Sequence, residues 1–187
     1  MNFTSGILST DKTRAVAKDV AIIFAGFITL AFLARVSLPL PFTPVPITLS
    51  TLGVYLLAST LGARRAVWAV AIYIIAGGFG APIFSNCRFG INFLVGISGG
   101  YIIGYGVSAA FIGYMFDKGR VTNTAKSIVI LTLGAVILFS CGLIQLSFFV
   151  PSGKVLAYGL YPFIPGEVFK ICLAASLVKP IRKFIKI

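Results

Sequence analysis

The sequence predicts an all-α membrane protein built as a bundle of six transmembrane helices. Of its 187 residues, 58% are apolar and 11% are charged, with a mean hydropathy of +1.03, which leaves too little polar surface for a soluble globule. Charge-free stretches at 36–63, 66–87, 89–116 and 127–153 each exceed the ~20 residues that a helix needs to cross the hydrocarbon core. These runs are continuously apolar rather than alternating, which favours helices over barrel strands.

Turn signals between the apolar runs place the six spans. The spans cover residues 20–38, 45–61, 66–84, 91–116, 127–150 and 160–178. Four prolines at 39–46 end the first span, because proline cannot continue a helix. Polar turns at 62–66 and 117–126 end the second and fourth spans, and glycines end the third. We therefore predict an N-terminal segment, 1–19, followed by a single six-helix transmembrane domain, 20–187.

The distribution of positive charge predicts the orientation. If the N-terminus is cytoplasmic, that side holds twelve of the sixteen cations, and Arg35, Arg88 and Lys154 lie on the other side. The positive-inside rule then puts both termini in the cytoplasm and the chain in the cell membrane as a multi-pass protein. The net charge of +12 is explained by this rule, and its dispersal among short loops argues against nucleic-acid binding.

Several other functional classes lack their chemistry in this sequence. There is no histidine, no intramembrane carboxylate pair, no phosphate-binding loop and no nucleophile elbow, which argues against an enzyme and against a metal or other cofactor. The three cysteines have no metal-ligand spacing. The basic N-terminal region is long and precedes no clear cleavage site, so we expect it to be retained rather than removed as a signal peptide. Uphill transport would need energy from partner chains or from an ion gradient.

An acid and a base lie close together in the last span. Glu167 and Lys170 are three residues apart, so they share a helix face in an otherwise apolar region. A charge at a helix centre costs roughly 2.5–3.5 kcal/mol on insertion scales, which makes the pair a candidate ligand site. Pro162, Pro165 and Gly166 begin a helix just before the acid. The alternative is a structural salt bridge that only holds the bundle together.

Two further segments contain candidate ligand contacts. The proline-rich stretch 39–53 carries Thr48, Ser50 and Thr51. It is either a rigid loop or a loop that caps an outward-facing cavity. The glycine-rich stretch 77–101 contains Asn86, whose amide could donate to and accept from a ligand or could simply form a turn. Four glycines at 96, 99, 100 and 104 are expected to let helices approach closely.

Three motifs in this order resemble the biotin-specific substrate-binding components (BioY family) of energy-coupling-factor vitamin transporters. They are PVPITLSTLG (44–53), GAPIF (80–84) followed by GGY (99–101), and PGEVFK (165–170). The resemblance runs from about residue 20 to the C-terminus. The family usually has Gln where this chain has Ser50, Pro-Thr at 97–98, and Asp where this chain has Glu167; Lys170 matches.

The resemblance implies a high-affinity biotin-binding component that works with a membrane-embedded scaffold protein and two ABC-type ATPases. Glu167 would accept from the ureido N–H groups of biotin, while Lys170 or Asn86 would donate to its carbonyl; the ligand carboxylate is the other candidate partner of Lys170. The sulfur-containing ring and aliphatic tail of biotin would contact aromatic walls, which we expect from Phe42, Tyr101, Tyr161 and Phe163. Ser50 and Thr48 complete the predicted binding set.

The first span carries a stripe of small residues, because Ala17, Ala21 and Ala25 recur every four positions. Such stripes mark close helix approach in lipid, either inside the bundle or against a second protein. The resemblance favours a docking surface for the scaffold protein. Two other functions stay open: a binding component or gradient-driven carrier for a different small vitamin, and a structural or regulatory membrane protein with no ligand.

Overall fold

Helices form most of residues 4–185, the part of the chain that this computed structural model describes. Two short strands, β1 (Ser37–Leu38) and β2 (Ile47–Thr48), pair antiparallel. Short 3₁₀ turns occur at Ser85–Cys87, Ser152–Lys154 and Tyr161–Phe163. The α-helices in chain order are α1 (Thr4–Arg35), α2 (Ser50–Leu61), α3 (Ala63–Gly78), α4 (Ile91–Val95), α5 (Gly99–Asp117), α6 (Thr124–Leu146), α7 (Val155–Gly159) and α8 (Ile164–Ile185).

The six longest of these helices follow the six predicted spans in order. Four segments are long and apolar enough to cross a membrane: Lys12–Arg35, Gly99–Asp117, Thr124–Leu146 and Ser152–Lys183. The other two long helices, α2 and α3, have 12 and 16 residues. Six spans and two cytoplasmic termini therefore stay predictions, whereas the helical class of the chain is confirmed.

Several predicted boundaries differ from the ends of the helices, those of the first, second and fourth spans among them. The first helix begins by Thr4 rather than at residue 20, so the polar segment continues the same helix. The second begins at Ser50 rather than 45, since β2 pairs with β1 just before it. The span predicted at 91–116 is split into α4 and α5, and Gln145 of α6 donates to the Leu94 and Gly96 carbonyls at the break.

At the centre of the bundle, α5 packs against α2, α3 and α6, while α8 packs against α2 and α6. Glycines allow this close packing, because a β-carbon at Gly100 would meet the Cys141 carbonyl and one at Gly104 would meet Leu138. The predicted packing role is confirmed for these two residues. Gly142 of α6 likewise leaves room for the ring of Tyr101.

By contrast, α1 lies at the edge of the bundle. It packs against α2 and α3, but only 17% of its apolar window is buried. Large apolar side chains at every fourth position are exposed, as membrane lipid requires: Val16, Val20, Phe24, Ile28 and Phe32.

Polar contacts join α1, α3 and α5 at the end of the bundle that contains the α2–α3 turn. Asp19 of α1 forms a salt bridge with Arg65 of α3 at 2.6 Å. Asp117, the last residue of α5, accepts a hydrogen bond from the Ala63 backbone N–H at 2.9 Å. The acid thus satisfies a free N–H at the start of α3, where Gly62 has a left-handed φ of 83°. Together these contacts hold α1, α3 and α5 in register.

We predict that Gly113→Ala destabilises the protein by about 1–3 kcal/mol, the usual cost of overpacking. A β-carbon at Gly113 would collide with the backbone of Ala63 and Gly62, so α5 would have to move away from the α2–α3 turn. Thermal unfolding in detergent measures the effect. Gly106→Ala is the matched control on the same helix, because nothing lies within 4 Å of its β-carbon. Equal melting temperatures for the two variants would contradict the close α5–α3 approach.

Candidate ligand-binding site

A buried ion pair occupies the start of α8. Glu167 lies in the first turn of the helix, where the helix dipole favours a negative charge. Lys170 follows one turn later, and its Nζ lies 2.7 Å from Oε2 of Glu167. Both residues are only 5% exposed. The spacing of three therefore produces the predicted pair, and the 3₁₀ turn at Tyr161–Phe163 immediately before α8 sets its position.

Side chains of α2 complete the hydrogen bonding of the acid. Tyr55 donates to Oε1 of Glu167 at 2.5 Å, and Thr51 donates to Oε2 at 3.2 Å. These two residues are one turn apart on α2, so their hydroxyl groups point to the same neighbour. The contacts join α2 to α8 through the carboxylate.

The base is fully hydrogen-bonded as well. Besides Glu167, Lys170 donates to Oγ1 of Thr51 at 2.6 Å and to the backbone carbonyl of Thr48 at 3.1 Å. An ammonium group has three N–H donors, and each has an acceptor here. Thr51 consequently accepts from the base and donates to the acid. The network leaves neither charge buried without a partner, which is the condition for tolerating a buried pair.

A cavity of about 50 Å³ adjoins this network. Glu167, Lys170, Thr48 and Thr51 form its polar end. Its remaining walls are largely aromatic and apolar, and come from α3, α5, α6 and the turn before α8, among them Tyr73, Tyr101, Tyr105, Leu138, Phe139 and Phe163. The arrangement suits a ligand with a polar head group and an apolar body.

The proline-rich loop between the two strands covers one side of the cavity. Val45 and Pro46 belong to the lining, and Thr43 fixes the loop by donating to the Tyr158 carbonyl of α7 at 2.6 Å. The sequence left open whether this segment is a rigid loop or a cap. In the structure the segment is held in place and also covers one side of the cavity.

Some predicted site residues reach the cavity directly. Besides the ion pair, Thr48, Tyr101 and Phe163 line it, and the hydroxyl of Tyr101 is used internally, donating to the Gly159 carbonyl at 2.8 Å. Ser50 lies just behind the lining, 2% exposed, with its side chain next to the hydroxyl groups of Tyr73 and Tyr105.

Three predicted contacts do not reach the cavity in this structure. Phe42 lies in the loop between β1 and β2 and is 59% exposed, and Tyr161 is 57% exposed. Asn86 has a left-handed φ of 56° in its 3₁₀ turn, and its side chain accepts from Ser37 at 2.9 Å. All three residues lie in a loop or a 3₁₀ turn outside the lining of the cavity, and their roles as ligand contacts stay predictions.

Thr51 was named from the sequence without being given a role, and Tyr55, Tyr73 and Tyr105 were not predicted. Thr51 and Tyr55 bind the carboxylate, and Tyr73 and Tyr105 stand beside Ser50. Thr51 and Tyr55 could have been found together from the sequence, because two hydroxyl groups four residues apart on an apolar helix share one face. No sequence pattern distinguishes Tyr73 and Tyr105, because isolated tyrosines are common in membrane helices.

The alanine stripe of α1 lies away from the cavity. Ala17, Ala21 and Ala25 are all exposed. Packing inside the bundle, one of the two alternatives from the sequence, therefore does not explain the stripe. Its small side chains lie on a helix that faces outward over most of its length.

Comparison with known proteins gives a consistent result. Residues 7–187 match the model of the BioY family. The chain is 31% identical over 163 residues to the biotin transporter BioY of Thermotoga maritima, with 87% of this chain and 95% of that protein covered. It is 32% identical over 167 residues to the biotin transporter BioY of Rhizobium etli, with 84% and 87% covered.

A solved structure is also similar. The crystal structure of the S-component for biotin from an ECF-type ABC transporter superposes with a TM-score of 0.84 at 26% identity, covering 91% of this chain and 93% of that one. The similarity therefore extends over nearly the entire fold, including the helices that form the cavity.

We predict that Lys170→Met destabilises the protein by about 3–5 kcal/mol, because it leaves a buried carboxylate without its cation. Adding Glu167→Gln to this variant should restore most of the stability, since the double variant buries no unpaired charge. Thermal unfolding in detergent without added ligand measures both. A double variant no more stable than Lys170→Met would show that the lost packing of the lysine stem, rather than the stranded charge, causes the destabilisation.

Proposed function

The chain belongs to the BioY family, and we propose that it is a membrane-embedded, high-affinity biotin-binding component of a vitamin uptake system. The observation that carries the proposal is the buried Glu167–Lys170 pair at the polar end of an aromatic-walled cavity. The relatives are transporters by name, which agrees with a protein that binds its ligand without transforming it.

The chemistry of biotin suits the two ends of the cavity. Its ureido ring has two N–H donors and a carbonyl, so the carboxylate of Glu167 can accept from the ring. Its sulfur-containing ring and aliphatic chain would contact the aromatic walls, where Tyr101 and Phe139 lie edge to face with centroids 5.9 Å apart. Phe163 continues this wall at 6.0 Å from Phe139.

The size of the cavity implies movement on binding. Pockets for small molecules typically measure roughly 300–1,000 Å³, whereas the cavity measures about 50 Å³. A ligand as large as biotin must therefore displace lining side chains or the loop that contains Val45 and Pro46. This loop is the natural point of movement because short connections are less stable than the helices beside them.

Energy for uptake would come from partner proteins. We propose a six-span bundle with both termini in the cytoplasm, docked on an energy-coupling scaffold protein that carries two ABC-type ATPases. The exposed stripe of Ala17, Ala21 and Ala25 on α1 supports the scaffold as the docking partner, because small residues let a second helix approach closely in lipid. No sequence motif for ATP hydrolysis is present in this chain, so the ATPases must be separate.

A ligand-free structural role is the second candidate. It is favoured by one observation, the complete internal hydrogen bonding of Lys170, which would suit a clamp between α2 and α8. In that case the protein would bind no small vitamin.

We predict that the purified protein binds biotin tightly and with one-to-one stoichiometry, because a cavity widened by movement of its lining can surround most of one ligand molecule. Isothermal titration calorimetry in detergent measures the affinity, with thiamine and riboflavin as comparison ligands. Heat for another vitamin but not for biotin would overturn the substrate while preserving the binding role. Heat for none of the three would favour the structural clamp.

We predict that Ala21→Trp or Ala25→Trp abolishes concentrative biotin uptake in cells but leaves the affinity of the purified protein unchanged. The large ring would block docking on α1 without reaching the cavity. Val136→Trp on α6 is the control, since Val136 is 57% exposed on a helix that does not belong to the proposed docking surface. Equal loss of uptake in the control, or loss of binding in either alanine variant, would contradict the docking surface.

A further inference from the structure

We propose that Tyr55 is a positioning residue for ligand recognition, which fixes the orientation of the Glu167 carboxylate toward the cavity. The inference rests on the proposed function, because it concerns how the acid accepts hydrogen bonds from the ligand. Tyr55 lies outside the sequence motifs that resemble the family. Its role emerges only from its contact with α8.

The geometry distinguishes positioning from direct contact. Tyr55 is fully buried, and its hydroxyl donates to Oε1 of Glu167 at 2.5 Å. The lining of the cavity includes Glu167 but not Tyr55. A ligand in the cavity therefore meets the carboxylate, and the tyrosine acts through it.

The hydrogen bonds of the carboxylate explain why this contact matters. A carboxylate offers about four lone-pair positions, and three are used by Tyr55, Thr51 and Lys170. Both Thr51 and Lys170 bind Oε2, so Tyr55 is the described residue that holds Oε1. The terminal torsion angle of glutamate varies widely, and without Tyr55 the carboxylate would be anchored through Oε2 alone, which leaves the direction of Oε1 less well fixed. With Tyr55 in place, the remaining acceptor position is held in one direction.

The unused lone pair of the Glu167 carboxylate favours a ligand that offers a hydrogen-bond donor. Because every N–H of Lys170 already has an acceptor, the network can add a ligand most readily through a free lone pair of Glu167. A ligand N–H satisfies that lone pair, whereas an N-methyl group in the same place cannot. Tyr55 should therefore contribute to discrimination between these two chemical groups.

The Glu167 side chain is long enough for its carboxylate to reach the hydroxyl of Tyr55. Shortening Glu167 to aspartate removes one methylene and withdraws the carboxylate from α2 by about 1.5 Å. The 2.5 Å bond from Tyr55 would then stretch beyond ordinary hydrogen-bonding distance. Loss of the Tyr55 hydroxyl should consequently matter with glutamate at position 167 and matter little with aspartate.

A double-mutant cycle tests the inference. Calorimetry on wild type, Tyr55→Phe, Glu167→Asp and the double variant is performed with biotin and with a biotin analogue methylated on a ureido nitrogen. We expect Tyr55→Phe to weaken biotin binding by about fivefold or more in the Glu167 background, a typical single hydrogen-bond effect. Binding of the analogue should change less, so the selectivity for biotin falls. In the Glu167→Asp background Tyr55→Phe should change neither affinity. Tyr114→Phe, at a half-exposed tyrosine on α5, controls for loss of a hydroxyl.

Two results would overturn the positioning role: equal weakening of biotin and the analogue, or the same loss in both backgrounds. If Tyr55→Phe fails to fold, thermal unfolding of the four ligand-free proteins still tests the inference. Destabilisation by Tyr55→Phe only when residue 167 is glutamate supports an interaction between Tyr55 and Glu167. Equal destabilisation when residue 167 is aspartate contradicts that interaction. If wild type binds no biotin, the proposed function fails, and the same thermal cycle still establishes whether Tyr55 and Glu167 are coupled.

Discussion

The buried ion pair at the start of α8 imposes the strictest requirement on this fold. Two charges that are each 5% exposed would cost several kcal/mol if either lost its partners. Their hydrogen bonds come from the end of the strand β2, the first two turns of α2 and α8 itself. The start of α2 must therefore lie against the start of α8, and the cavity forms where these two helix ends meet.

Packing of the other helices supports the contact between the starts of α2 and α8. Glycines at 100 and 104 bring α6 against α5, and the rings of Tyr101 and Phe139 then face each other across the cavity wall. The break between α4 and α5 is tolerated because Gln145 satisfies the carbonyl groups left free there. Close packing and complete hydrogen bonding thus produce a polar site with apolar walls inside a lipid-facing protein.

The proposed ligand cavity and the proposed docking surface lie in separate parts of the molecule. The cavity lies among α2, α3, α5, α6 and α8, whereas the exposed alanines belong to α1 at the edge of the bundle. On the proposed function, capture of the vitamin and coupling to an energy source would therefore be separable by mutation. The helices α2 and α3 connect the two parts, since both pack against α1 and both contribute residues to the lining of the cavity.

The sequence by itself determined the helical membrane class, the order of the long helices and the pairing of Glu167 with Lys170. The length of an apolar run and the spacing of three between Glu167 and Lys170 are local properties of the chain, so they can be read without knowing how the helices pack. It did not determine that Thr51 and Tyr55 complete the acid's hydrogen bonds, because those partners are more than a hundred residues away along the chain. Nor did it determine that Phe42, Asn86 and Tyr161 lie outside the lining of the cavity in this structure, where loop and 3₁₀-turn geometry sets their positions. Which side chains enter the cavity was decided only by the tertiary structure, since a buried charge must find its partners wherever the packed helices bring them.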